Sequence, residues 1–124
     1  MHNADQLFAG TKAIVDLIRT QHPTSKVLIL RPFPCGGPDS RTDFTRKYNR
    51  SAKALAELQR AGELTAKLAD NRNVFWFDIG KVFLRPNGTL DTALMPDLIH
   101  PNAAGAEAWV SAILPKVDEL LGRK

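Results

Sequence analysis

The run Lys26-Val27-Leu28-Ile29-Leu30-Arg31 decides the fold class of this 124-residue chain. Its four central residues are all aliphatic, and polar residues do not alternate with them. A continuous run of this kind is typical of a parallel strand that is buried on both faces, because a strand with one solvated face alternates. We therefore predict a central parallel strand at this position.

Helical patterns and one further strand surround this run. The second strand is the aromatic-rich stretch Asn73-Val74-Phe75-Trp76-Phe77-Asp78. Apolar residues recur at helical spacing over residues 4 to about 20, about 43 to 69, and 106 to 121, with Asn3 and Gly122 as end signals. Alternating helices and strands predict an α/β fold, with parallel strands joined by a right-handed crossover.

Two parallel strands make an incomplete sheet. The strand at Val27–Leu30 has no predicted neighbour on one of its sides, and the N–H and C=O groups of an open edge need partners. We expect the chain to be part of a larger α/β domain, or a subunit that completes its sheet with another chain.

The composition excludes several other classes of protein. Seventeen Lys and Arg residues against thirteen Asp and Glu give a net charge of +4, which is too small to indicate a nucleic-acid partner. No apolar run approaches the roughly 20 residues that a membrane-spanning helix needs. The first residues lack a signal-peptide pattern, so we expect the chain to stay where it is made, by default the cytoplasm.

The sequence predicts no metal site and no cofactor. Cys35 is the only cysteine, which excludes an intrachain disulfide and a cysteine-rich metal site. His2 and His22 have no acidic or cysteine residues at the spacing of a ligand set.

The most distinctive motif is Met95-Pro96-Asp97-Leu98-Ile99-His100-Pro101-Asn102. Asp97 and His100 can meet within one turn, so the carboxylate can accept a hydrogen bond from one ring nitrogen while the other accepts a proton. Pro96 and Pro101 should stiffen this loop. The motif is consistent with a general base, but taken alone it favours an ordinary capping loop, because short patterns often match by chance.

A nucleophile for such a base is difficult to find in the chain. Ser25 lies at the wrong end of the first strand, whereas Ser51 and Ser111 lie within helical patterns. Ser40 and Cys35 follow the first strand, at the sheet edge where open α/β folds bind ligands. Cys35 precedes Gly36-Gly37 and could present a thiolate, but an incidental loop cysteine is the preferred interpretation.

Over nearly its whole length the chain resembles the C-terminal portion of the SGNH (GDSL-type) hydrolases, particularly proteins similar to platelet-activating-factor acetylhydrolase subunits. The resemblance rests on the segments "SKVLILRPFP", "NVFWFDIG", "PNGTLD" and "MPDLIHPNAAGAEAW". It implies that residues 1–124 form a single partial domain of a flavodoxin-like, three-layer α/β/α fold. The family's N-terminal blocks, which carry the serine nucleophile, a glycine and an asparagine, have no counterpart here.

The resemblance implies a serine ester hydrolase that acts on short acyl or acetyl esters, with His100 as the general base and Asp97 orienting it. The serine would come from outside this chain, so the isolated chain should be nearly inactive. The expected partners are a small ester substrate and either a complementing N-terminal half or a second copy at Val27–Leu30. The alternative is a non-catalytic α/β module that self-associates through this edge.

Overall fold

The computed structural model describes residues 3–35 and 52–123 of the chain. Along the chain it contains α1 (Ala4–Gln21), β1 (Val27–Leu30), α2 (Ala52–Ala66), β2 (Val74–Phe77), a 3-10 helix (Gly80–Phe83) and α3 (Ala103–Leu121). The predicted α/β order of helices and strands is confirmed. The predicted start of the second helix, over residues 43–51, lies outside the described residues.

The two strands pair in parallel, as the aliphatic run predicts. Val27 lies opposite Val74 and Leu30 opposite Phe77. The Val27 N–H donates to the Asn73 carbonyl at 2.7 Å, and the Arg31 N–H donates to the Phe77 carbonyl at 3.0 Å. Since residues 27 and 31 face β2, the backbone groups of alternate residues 28 and 30 face the opposite side, where the described residues supply no further strand.

The strands are less buried than the continuous apolar pattern predicts. Ile29 and Val74 are buried, whereas the other residues of both strands, including Trp76, are only half-buried. The reason is the width of the sheet, because two strands without strand neighbours in the described residues leave both flanks of the pair partly open.

The chain divides into two compact units, and the first contains residues 1–32 and 56–78. Val15 of α1, Ile29 and Val74 form its core, against which the partly buried Val27, Leu68 and Trp76 pack. Asn3 and Gln6 form a reciprocal capping box at the start of α1. The N–H of Ala4 donates to the Glu57 carboxylate at 2.8 Å, which attaches α1 to α2.

At the end of β1, the Arg31 guanidinium pairs with Asp78 at 2.7 Å. A Cβ on Gly62 would lie 3.1 Å from both Cγ and Nε of Arg31, so α2 approaches this side chain closely. Close packing therefore explains the glycine in the middle of this helix.

Of the described residues, the second unit contains 33–35, 52–55 and 79–123. Ile79, Phe83, Met95 and Leu98 are its buried hydrophobic residues. The Phe33 ring contacts Phe83 edge-on with centroids 4.9 Å apart, and it contacts Trp109 in the same way at 5.9 Å. Within the described residues, no helix is long and apolar enough to span a membrane.

Asp70 holds the turn that leads into β2. Its Oδ1 accepts hydrogen bonds from the backbone N–H groups of Arg72, Asn73 and Val74, each at 2.9 Å. Its Oδ2 pairs with Arg19 near the end of α1. The three N–H donors, followed by Arg19, hold the pKa of Asp70 well below its ordinary range.

We expect Asp70→Ala to lower the thermal unfolding midpoint at pH 7, because it leaves three backbone donors without their acceptor. Asp70→Asn keeps an acceptor oxygen and should lower the unfolding midpoint by a smaller amount. The pKa of Asp70 is lowered on folding, so its contribution is complete above the ordinary carboxyl pKa of about 4 and is lost as the pH falls further. Melting curves followed by circular dichroism at pH 7 and between pH 4 and 2 test this. An undiminished gap between wild type and Asp70→Ala in acid would contradict the assignment.

Candidate active site

The segment before the Asp97/His100 loop is a short hairpin-like turn. Leu84 and Leu90 form an isolated antiparallel bridge. Between them, the Gly88 N–H donates to the Arg85 carbonyl at 2.8 Å, and Gly88 takes a left-handed φ of 83°. Residues Pro86-Asn87-Gly88 therefore form a turn, in which glycine takes the left-handed position.

Asp91 connects this turn to the loop. Its N–H donates to the Phe83 carbonyl at 2.8 Å, and its own carbonyl accepts from the N–H groups of Leu94 at 3.0 Å and Met95 at 2.9 Å. Its Oδ1 accepts from the Ala93 N–H at 2.9 Å. The Met95 side chain is fully buried. Its backbone hydrogen bond to Asp91 and the burial of its side chain together fix the start of the loop.

Asp97 and His100 are in direct contact. The Nδ1 atom of His100 lies 2.6 Å from Oδ2 of Asp97. The other carboxylate oxygen, Oδ1, accepts hydrogen bonds from the backbone N–H groups of Ile99 at 2.9 Å and His100 at 2.7 Å. The contact is the one that the Asp-x-x-His spacing predicts, and its catalytic role remains a prediction.

The environment keeps Asp97 ionised. Partial burial acts to raise its pKa, but the hydrogen bonds from the His100 ring and from the backbone N–H groups of His100 and Ile99, together with the histidine charge, lower the pKa to about 2. A carboxylate in this state accepts the Nδ1 proton of a neutral imidazole. The His100 side chain is 65% exposed, compared with 30% for Asp97.

This arrangement selects one tautomer of His100. With Nδ1 donating to Asp97, the neutral ring carries no proton on Nε2, which is then the nitrogen that can accept one. A general base that is oriented by a carboxylate in this way is half of the machinery that activates a hydroxyl nucleophile. The geometry is thus suited to proton transfer at Nε2.

Asn102 joins the loop to the helix that follows. Its side-chain oxygen caps α3 by accepting from the Gly105 N–H at 2.9 Å, and its Nδ2 donates to the Ala93 carbonyl at 2.8 Å. The helix begins at Ala103, three residues earlier than the apolar periodicity predicts. An asparagine before Ala-Ala-Gly is an N-cap signal, which could have placed the start correctly.

Gly105 allows the helix to approach the loop. A Cβ at this position would lie 2.4 Å from the Leu94 carbonyl oxygen and 3.0 Å from Cβ of Pro101. No feature of the sequence alone indicates this contact, because it depends on the three-dimensional path of the loop.

The other candidate nucleophiles differ in exposure and in the unit to which they belong. Cys35 is half-buried in the second unit, whereas Ser25 in the first unit and Ser111 on α3 are exposed. Ser40 and Ser51 lie outside the described residues. Residues 3–35 and 52–123 contain no group of three or more His, Cys, Asp or Glu side chains that could hold a metal ion.

Comparison with known sequences identifies a protein family whose model matches most of this chain. The model of the GDSL-like Lipase/Acylhydrolase family matches residues 1–108, a range that includes the whole Asp97/His100 loop. Platelet-activating factor acetylhydrolase IB subunit alpha1 from Bos taurus is 30% identical over 105 residues, which cover 84% of this chain and 40% of that protein. Subunit alpha2 from Gallus gallus is 30% identical over 99 residues, which cover 80% of this chain and 38% of that protein. The chain thus spans about two fifths of the length of these relatives.

Solved structures share the fold. A candidate platelet activating factor from Streptococcus pneumonia matches 91% of this chain and 51% of its own, with a TM-score of 0.77 and 17% identity. A candidate GDSL-like lipase from Bacteroides ovatus matches 98% of this chain and 34% of its own, with a TM-score of 0.69 and 18% identity. At these identities the likeness shows the fold alone.

We expect Gly105→Ala to destabilise the second unit by about 1–3 kcal/mol, because its methyl group overlaps the Leu94 carbonyl and forces the loop away from α3. Gly10→Ala is the matched control, since nothing lies within 4 Å of its Cβ position on α1. That change should stabilise the chain by about 0.5–1 kcal/mol through helix propensity. Urea unfolding of both variants checks the opposite signs. Equal changes in the free energy of unfolding for Gly105→Ala and Gly10→Ala would exclude a steric role for Gly105.

Proposed function

The chain belongs to the GDSL-like lipase/acylhydrolase family, which is of the SGNH type, and we propose that it contributes the Asp97/His100 part of the catalytic site of a serine ester hydrolase. The observation that carries the proposal is the 2.6 Å contact between Nδ1 of His100 and Oδ2 of Asp97. The exposed His100 ring is accessible to a nucleophile and a substrate.

In the proposed mechanism, Nε2 of His100 removes the proton from a serine hydroxyl as the oxygen attacks the ester carbonyl. Asp97 stays ionised and stabilises the imidazolium that forms. The imidazolium then gives its proton to the departing alkoxide, which leaves as the alcohol. Water, activated by the same nitrogen, hydrolyses the acyl-serine and restores both groups.

We propose that the serine comes from outside residues 1–124. The curated relatives are about two and a half times as long as the region they share with this chain, which leaves room for a nucleophile in the part that this chain does not match. The two described serines on this chain are exposed, and Ser25 lies ahead of β1, the opposite end of the strand from the loops at which α/β sheets bind ligands.

For the substrate we propose a short acyl ester, with acetyl as the first choice. The support is the name of the curated relatives, which are acetylhydrolase subunits.

The test is a chimera in which the part of the bovine alpha1 subunit that precedes its matched region is joined ahead of Met1. We expect the folded chimera to hydrolyse p-nitrophenyl acetate. His100→Ala should lower kcat/KM by about 10³-fold or more, and Asp97→Asn by about 10²–10⁴-fold, because each removes part of one catalytic unit.

His22→Ala is the matched control, since His22 is an exposed histidine at the end of α1, in the first unit, and should leave the rate unchanged. The isolated chain should show no turnover that depends on His100. A folded chimera that is inactive, or whose turnover survives His100→Ala, would contradict the proposal.

A second candidate function, self-association of a non-catalytic module, is favoured by one surface of the first unit. Leu7, Ile14 and Leu17 form an exposed apolar stripe on α1, with Ile14 62% and Leu17 56% exposed. The helix contacts α2 through Ala4 and Asp5, on a different flank from this stripe. An exposed apolar face and an open strand edge are both surfaces that a partner can cover.

For this second function we propose a second copy of the chain as the partner. A two-fold axis would place β1 antiparallel to its copy, and each apolar stripe on α1 would meet the same stripe of the other copy. Such an interface is self-complementary, so it needs no further protein.

Sedimentation velocity at micromolar concentration tests the dimer. The wild-type chain should be dimeric, whereas Ile14→Lys and Leu17→Lys should be monomeric and still folded by circular dichroism, because both side chains are exposed. Ala9→Lys, at an exposed position on the opposite flank of α1, should remain dimeric. A monomeric wild type would exclude this second function.

A further inference from the structure

Leu98 has an unusual backbone conformation within the Asp97/His100 loop. Its φ is 63°, and the only other non-glycine residue with a positive φ in the described residues is Asn71. Asparagine tolerates the left-handed region, but a leucine there is uncommon because its Cβ crowds the backbone. Some other interaction must therefore hold Leu98 in this conformation.

Burial of its side chain supplies that interaction. Leu98 is 7% exposed and follows the fully buried Met95, whose carbonyl accepts the Leu98 N–H at 2.9 Å. Returning Leu98 to an ordinary conformation would redirect the chain and take an apolar side chain out of the interior. The gain from burying the side chain opposes the backbone preference.

The left-handed turn has a direct consequence for the two polar residues around it. It bends the chain so that the next two N–H groups, of Ile99 and His100, both reach Oδ1 of Asp97. Oδ2 then remains for the His100 ring. The φ and ψ angles of residue 98 set where these two N–H groups lie relative to the Asp97 side chain, so an extended residue 98 would carry both away from Oδ1.

We infer that Leu98 is a positioning residue, whose buried side chain holds the left-handed turn that aims Asp97 at Nδ1 of His100. The inference rests on the proposed role of His100 as the base. Leu98 acts only through the two polar residues, and it requires no contact with the substrate.

The experiment uses the isolated chain and Leu98→Gly, which permits the left-handed conformation but removes the anchoring side chain. In wild type, nitrogen-15 NMR should show the neutral His100 ring mainly protonated on Nδ1. In Leu98→Gly we expect that preference to be lost, and carbon-13 titration should show the pKa of Asp97 moving from about 2 toward the ordinary value near 4.

Two control variants separate positioning from stability. Leu98→Met keeps a buried apolar side chain and should retain both signals. Ile79→Ala removes a buried side chain from the same unit, outside the loop, and should lower stability without changing the His100 tautomer or the Asp97 titration. If Leu98→Gly does not fold, Leu98→Val serves in its place, because a β-branched residue disfavours the left-handed region.

The kinetics of the chimera provide a second test of the inference. There Leu98→Gly should lower kcat/KM by about 10–10²-fold, and it should have no further effect when His100 is already alanine, because the two residues act as one unit. A folded Leu98→Gly or Leu98→Val chain with the wild-type tautomer and titration would overturn the inference. If the chimera is inactive while the NMR changes occur, the proposed function fails and the positioning role of Leu98 stands.

Discussion

The carboxylate of Asp97 is the interaction on which the candidate site depends. One oxygen accepts two backbone N–H groups, which closes the loop, and the other accepts Nδ1 of the His100 ring. The residue that contacts the His100 ring is therefore also the residue that shapes the backbone carrying that ring. Loss of the Asp97 carboxylate would therefore both open the loop and release the ring, and the carboxylate limits the orientations of an exposed imidazole.

Asp70 shows the same arrangement without the catalytic potential. It too closes a turn by accepting backbone N–H groups with one oxygen, while its second oxygen pairs with Arg19. Arginine keeps its charge at any relevant pH, whereas histidine changes charge near neutrality. The chemical difference between the two turns thus lies in the side chain that meets the second oxygen. The arginine that meets Asp70 stabilises the structure, whereas the histidine that meets Asp97 can accept and release a proton.

Local patterns predicted the elements, and spatial packing decided the details. The aliphatic run and the aromatic strand gave the parallel pair, and the Asp-x-x-His spacing gave the side-chain contact, because each depends on a few neighbouring residues. The left-handed Leu98 and the close approach at Gly105 could not be predicted, since neither residue type reveals its conformation or its distant neighbours. The burial of β1 and β2 was overestimated, because the apolar pattern does not reveal how many strands lie beside them, and the described residues form a sheet of only two strands.

The contacts that shape the Asp97/His100 pair are local in sequence. They begin at the Phe83 carbonyl, pass through Asp91 and Met95, and end where Asn102 caps α3 and Gly105 packs on Leu94. All of them lie within the second unit, and none needs a residue from the first. These contacts therefore hold the His100 ring on Asp97, in the orientation that the proposed base requires, from within the second unit. In a serine hydrolase this separates two tasks, because one segment of chain fixes the proton acceptor while another presents the hydroxyl, and only their approach completes the site.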